Sequence, residues 1–309
     1  MKLASFTAKS GGESTIGVLI GDHLLDLHAA SSGALPRSMV SFLEMGEQAM
    51  ETAKSLAGKG EDAANLHAAE TVELRAPVPR PGKILHTSCN FGRHLEELTN
   101  WTAPDWQAHG WDSFHFEHPT GFLEAPSSIV GSGAKVMRPV FTKQLDYEIE
   151  LGIVIGKMAR RVSQEHALDY VAGYTVFNDI SARDIQGREH ANKVILLGKS
   201  FDTSCPLGPY LVTTDEIPDP TVLDMELRLN GEVRQKAKTG DMTYKPDQLV
   251  SWWSNITLEP GDLITSGSPA GVIASMKKPV WLKAGDLVEA EIEAIGVLVS
   301  PIGVEGEAG

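Results

Sequence analysis

The segment Asp146-Tyr147-Glu148-Ile149-Glu150-Leu151-Gly152-Ile153-Val154-Ile155-Gly156 constrains this chain most. Its second half is continuously apolar, as in a strand buried on both faces. Its first half alternates, which predicts Asp146, Glu148 and Glu150 on one strand face and Tyr147, Ile149 and Leu151 on the other. Carboxylates entering a buried strand repel one another and lose hydration unless a cation compensates. The segment reads either as a solvated strand end or as part of a site for a hard divalent ion with oxygen ligands. A Glu-x-Glu pattern alone does not decide between them.

Two further segments add weight. Tyr174 to Asn178 reads as an aromatic and β-branched strand, and it runs into Asp179, Arg183 and Gln186. Asp179 could supply a third carboxylate, while Arg183 and Gln186 could reach a substrate. The plainer readings are a salt bridge from Arg183 to Asp184 and a loop hydrogen bond for Gln186. Gly198-Lys199-Ser200 is not a phosphate loop, because Lys193 stands where that pattern needs glycine. Lys199 is then an ion-pair partner or an electrophilic group beside a metal.

The rest of the chain is rich in short strands. Residues 15–27 form two, joined at Gly21-Asp22; Lys83–His86, Tyr210–Thr213 and Leu223–Leu229 form others. Asn230-Gly231 is a hairpin turn. Gly261-Asp262 and Gly285-Asp286 each launch a strand. Helices are predicted over 38–57, 163–171 with Ser163 as N-cap, and 246–255. Strands without βα alternation indicate a β-rich α+β fold. The proline-rich run 76–82 marks a boundary between a small N-terminal domain, 1–75, and a larger domain, 76–309.

With 309 residues the chain can bury a sizeable core, and its net charge of −14 disfavours nucleic acid and anionic membranes as partners. No stretch reaches the length of a membrane span, the start has no signal-peptide run, and two cysteines form no disulfide framework, so the expected compartment is the cytoplasm. Cys205 reads as a small buried residue. Gly267-Ser268-Pro269 lacks the glycine of a nucleophile elbow, and there is no Gly-x-Gly-x-x-Gly opening a helix, which disfavours serine hydrolases and nicotinamide enzymes.

The stretches 145–156, 172–186, 198–209 and 258–272, in that order, resemble the fumarylacetoacetate hydrolase family, and the likeness runs from about residue 75 to the C-terminus. The resemblance implies a mixed β-sandwich roll with a small N-terminal domain, Mg²⁺ or Mn²⁺ as cofactor (Ca²⁺ in crystals), and a homodimer. It implies metal carboxylates at Glu148, Glu150 and Asp179, an active-site lysine at Lys199, and substrate contacts at Arg183, Gln186 and Ser268, where Ser268 replaces a more usual threonine. It implies an acid/base dyad at His94 and Glu97, which as i and i+3 on a helix share a face. Two departures stand out: a Trp- and His-rich insertion over 98–121, and Glu124 where a lysine is common. The activity implied is hydrolysis of a C–C bond in a small 2-oxo or 1,3-diketo acid of the acylpyruvate or fumarylpyruvate type. The alternatives are isomerisation or decarboxylation of 2-hydroxymuconate-type diacids or oxaloacetate, and a non-catalytic metal-binding module.

Overall fold

The computed structural model describes residues 1–60, 65–98 and 117–306. Most of the predicted insertion, including Trp101, Trp106, His109, Trp111 and His115, lies outside the described residues. The acidic strand Ile149–Ile155 sits in the middle of a large sheet, and every residue in it is buried. Val171–Asn178 flanks it antiparallel on one side and Leu263–Thr265 on the other. Beyond Leu263–Thr265 come Ile84–Ser88, paired parallel to it, and Thr120–Glu124. A second, five-stranded sheet runs from Glu232–Lys238 through Asp224–Leu229, Leu287–Ile292 and Gly296–Val304 to Val136–Arg138. Apolar side chains from the two sheets, among them Leu151, Ile153, Met225, Leu227, Ala290 and Ile292, form one core. The β-rich α+β reading therefore stands.

The N-terminal strand Lys2–Ala8 pairs with Cys205–Thr213, so the large sheet continues across the proline-rich run. The hairpin predicted over 15–27 forms as Thr15–Ile20 and His23–Asp26. Asn230 and Gly231 both take positive φ, 53° and 80°, as a tight hairpin with the native strand twist demands. The helix predicted over 38–57 is two helices, Met39–Glu44 and Glu47–Ala57, separated at Gly46, whose φ of 66° no right-handed helix accommodates. Ser163 precedes the 3₁₀ helix Gln164–Tyr170, but its side chain makes no capping bond. The helix Arg183–Ala191, which hydrophobic periodicity does not reveal, carries Arg183 and Gln186. Among the described residues no helix is long and apolar enough to cross a membrane.

Candidate metal and acid/base site

Strand register explains how distant residues meet. Thr265 is paired with both Gly152 and His86, and His86 is paired with Phe122. Residues two apart on a strand share a face, so Glu150, Thr265, His86 and Glu124 line one face of four neighbouring strands. Asp179 follows directly on the strand Val171–Asn178, beside the Glu150 strand. Among the described residues, one group of His, Cys, Asp or Glu side chains offers donor atoms that all lie within 4.8 Å of one another: His86, Glu150 and Asp179.

Of the two readings of this segment, the solvated strand end is excluded, because Asp146, Glu148 and Glu150 are all buried. The uninterrupted alternation also fails. Pairing breaks at Tyr147 and Glu148, between the short strand Leu145–Asp146 and Ile149–Ile155. Asp146 turns away from Glu150 to accept from Arg183 Nε (2.9 Å) and from the amides of Ile273 (2.8 Å) and Ala274 (3.0 Å). Glu148 accepts from Arg183 Nη2 at 2.7 Å and from Lys199 Nζ at 2.6 Å. Lys199 also bonds Asp179. Burial alone would raise the Glu148 pKa, but the Arg183 and Lys199 charges hold it well below the usual carboxylate range. Burial works against the Lys199 ammonium too, and Asp179 and Glu148 more than offset it, so its pKa lies above the ordinary lysine value.

Arg183, expected to touch substrate, is buried with Asp146, Glu148 and Gln186 Oε1 (3.0 Å) as partners. Gln186 thus accepts from the same guanidinium that bonds Glu148. Asp184, the plainer partner for Arg183, instead caps the turn at Thr142 and Lys143. Ser268 accepts from Gln235 Nε2 at 2.8 Å, while Gln235 Oε1 accepts from the Ile149 amide at 3.0 Å. Gln235 was not legible from sequence; an amide 86 residues downstream of the acidic strand gives no local signal.

The Glu150 carboxylate has one oxygen held by the Gly267 amide at 2.8 Å. Gly267 has φ of +79°, and a Cβ there would lie 2.8 Å from the Thr87 carbonyl oxygen. Gly267→Ala is expected to cost about 1–3 kcal/mol in strain and to loosen Glu150; thermal unfolding measures the first effect. Glu150 Oε1, Asp179 Oδ1 and Glu124 Oε1 are buried with no hydrogen-bond partner. Desolvated acceptors of this kind, converging from three strands, fit the hard-oxygen ligand set of a divalent ion. Burial, with the Asp179 and Glu148 charges, pushes Glu150 up to about 8. Burial and Asp179 likewise raise Glu124 well above its ordinary range. Glu124, which replaces an expected lysine, therefore brings a carboxyl group into the site rather than a cation.

The sign of the Glu150 shift has consequences. The folded metal-free chain keeps a proton there that the unfolded chain releases near 4.5. Its stability should therefore fall as pH rises from about 4.5 toward 8. A divalent ion must displace that proton, so Mn²⁺ affinity should climb by up to about tenfold per pH unit below 8 and then level off. Calorimetric titration in buffers of different ionisation enthalpy should register close to one proton released per ion at pH 7.

His94 and Glu97 meet as expected on the helix Gly92–Leu98, with His94 Nδ1 2.7 Å from Glu97 Oε1. Glu97 is anchored by the Gly271 amide (2.9 Å) and the Ser275 hydroxyl (2.8 Å). That leaves His94 Nε2 directed inward, 3.8 Å from Glu148 Oε1. An oriented imidazole beside buried carboxylates and a lysine is a unit able to move protons on a bound carbonyl compound.

Residues 83–303 match the C-terminal domain of fumarylacetoacetate hydrolase. The chain belongs to the fumarylacetoacetate hydrolase family. It is 38% identical over 305 residues to the mitochondrial oxaloacetate tautomerase fahd2 of Xenopus laevis, covering 98% of this chain and 90% of that one. It is 36% identical over 302 residues to oxaloacetate tautomerase YisK of Bacillus subtilis, covering 93% and 96%. Among solved structures, it resembles maleylpyruvate hydrolase from Sphingobium sp. SYK-6 in complex with manganese(II) and pyruvate, with a TM-score of 0.76 and 27% identity over 98% and 99% of the two chains. Family membership makes the chain an enzyme of this group and accords with its β-rich architecture.

Proposed function

We propose that this protein is a divalent-metal-dependent tautomerase that interconverts the keto and enol forms of oxaloacetate. The observation that carries the proposal is the convergence of the His94–Glu97 pair, Lys199 and the buried carboxylates on one site. Two relatives spanning over nine-tenths of this chain and named as oxaloacetate tautomerases support it. These findings favour enolisation, one of the alternative activities, over C–C hydrolysis, the leading expectation.

Glu148, Glu150 and Asp179 would hold Mg²⁺ or Mn²⁺. When bound, the ion supplies Lewis-acid polarisation of the 2-oxo acid. Glu97, fixed by Gly271 and Ser275, keeps the His94 ring oriented, so that Nε2 takes the proton from C3 of the keto form. Lys199 Nζ donates a hydrogen bond to the oxygen where negative charge develops, and that oxygen then receives the proton. Arg183 and Gln186 act from behind, holding Glu148 in place. The compartment is proposed to be the cytoplasm or the mitochondrion, and the assembly a homodimer.

Hydrolysis of an acylpyruvate is the second reading, favoured by the likeness to maleylpyruvate hydrolase, since the same dyad could activate water. A substrate panel with Mn²⁺ separates the two. Loss of enol absorbance from oxaloacetate, without pyruvate release, is expected. Cleavage of acylpyruvates with no acceleration of oxaloacetate tautomerisation would reject the proposal.

A further inference from the structure

We propose that His86 binds the divalent ion directly through Nε2, making this a mixed nitrogen–oxygen centre that favours Mn²⁺ over Mg²⁺. The inference rests on the metal reading above and adds a ligand that the carboxylate motifs do not contain.

The geometry is specific. His86 is 3% exposed, and its Nε2 lies 3.5 Å from Glu150 Oε1 and 3.5 Å from Asp179 Oδ2. Those separations are too long for hydrogen bonds. They match the spacing of about 3–4 Å between donors that share an ion with bonds of about 2.1 Å. The ring is held from both sides. It stacks on Phe122 with centroids 4.4 Å apart, and its Nδ1 sits 3.1 Å from the Thr265 hydroxyl. With Nδ1 engaged by the Thr265 hydroxyl, Nε2 is the ring nitrogen that faces the carboxylates and is placed to offer its lone pair to an ion between them. Glu124 Oε1 also lies near Nδ1, at 3.6 Å. Imidazole nitrogen suits transition ions, whereas Mg²⁺ and Ca²⁺ prefer oxygen.

The test is pulsed electron paramagnetic resonance of the Mn²⁺-loaded full chain, with and without ¹⁵N-histidine. The expected result is electron spin-echo modulation from one directly bound imidazole nitrogen that changes on ¹⁵N substitution. It should persist in His94→Gln and vanish in His86→Gln. The ratio of Mn²⁺ to Mg²⁺ affinity should fall in His86→Gln by on the order of 10-fold, the lower end of what perturbing a metal site produces. Should His86→Gln not fold, the labelled wild type and His94→Gln still decide the matter. Bound Mn²⁺ with no nitrogen modulation, or modulation lost with His94 instead, overturns the inference while the metal reading stands. No Mn²⁺ uptake at all removes both.

Discussion

Lys199→Met is expected to lower turnover of oxaloacetate by about 10²–10³, the loss seen when one preorganised donor to a developing oxyanion is removed. Methionine keeps the length and apolar stem of lysine but donates nothing. The ammonium also neutralises Glu148 and Asp179 in the metal-free chain, so the variant should be less stable without metal. A bound ion would restore part of that compensation. Mn²⁺ should therefore raise the melting temperature of Lys199→Met by more than it raises that of the wild type. A catalytic loss with no change in the metal-induced shift would mean that Lys199 does not share its carboxylates with the ion.

Arg183→Met should destabilise the protein by about 3–5 kcal/mol, the cost of leaving one side of a buried ion pair uncompensated. Arg183 bonds Asp146 and Glu148 at once, and all three are buried. Denaturant unfolding at pH 7 measures the loss. Part of it should depend on pH. The folded Glu148 pKa is depressed, so its contribution is fully present above the ordinary value of 4.5 and fades as pH falls below it. In Arg183→Met the Glu148 part of that acid dependence should shrink, so the gap between the two proteins narrows toward low pH. A constant gap from pH 7 to pH 4 would indicate that packing, not charge, sets the cost.

The parts of the site written in short contiguous motifs were legible in the sequence. Glu150 and Asp179 come together, Lys199 pairs with the acids, and His94 meets Glu97 because three residues make nearly one helical turn. The strand and turn signals at Asn230-Gly231 and Gly261-Asp262 likewise need only local chemistry. What escaped depends on register between strands far apart in the chain. His86 reaches Glu150 only because Leu263–Thr265 inserts between their strands and aligns Thr265 with Gly152 on one side and His86 on the other. The break at Tyr147-Glu148, which sends Asp146 to Arg183 rather than to the His86–Glu150–Asp179 cluster, is set by backbone pairing of Leu145 and Asp146 with Ala182 and Ser181. Glu124 looked like a lost cation; across from Ile84, it is a buried carboxyl beside the Asp179 side chain.

The most direct test follows enol oxaloacetate by its ultraviolet absorbance in stopped flow, using native protein, chelator-stripped protein and stripped protein given back Mn²⁺. The expected pattern is rapid ketonisation, its loss on stripping, and its recovery with one equivalent of ion. Ketonisation at full rate after the ion has been removed, or none even with Mn²⁺ restored, would contradict a metal-dependent tautomerase.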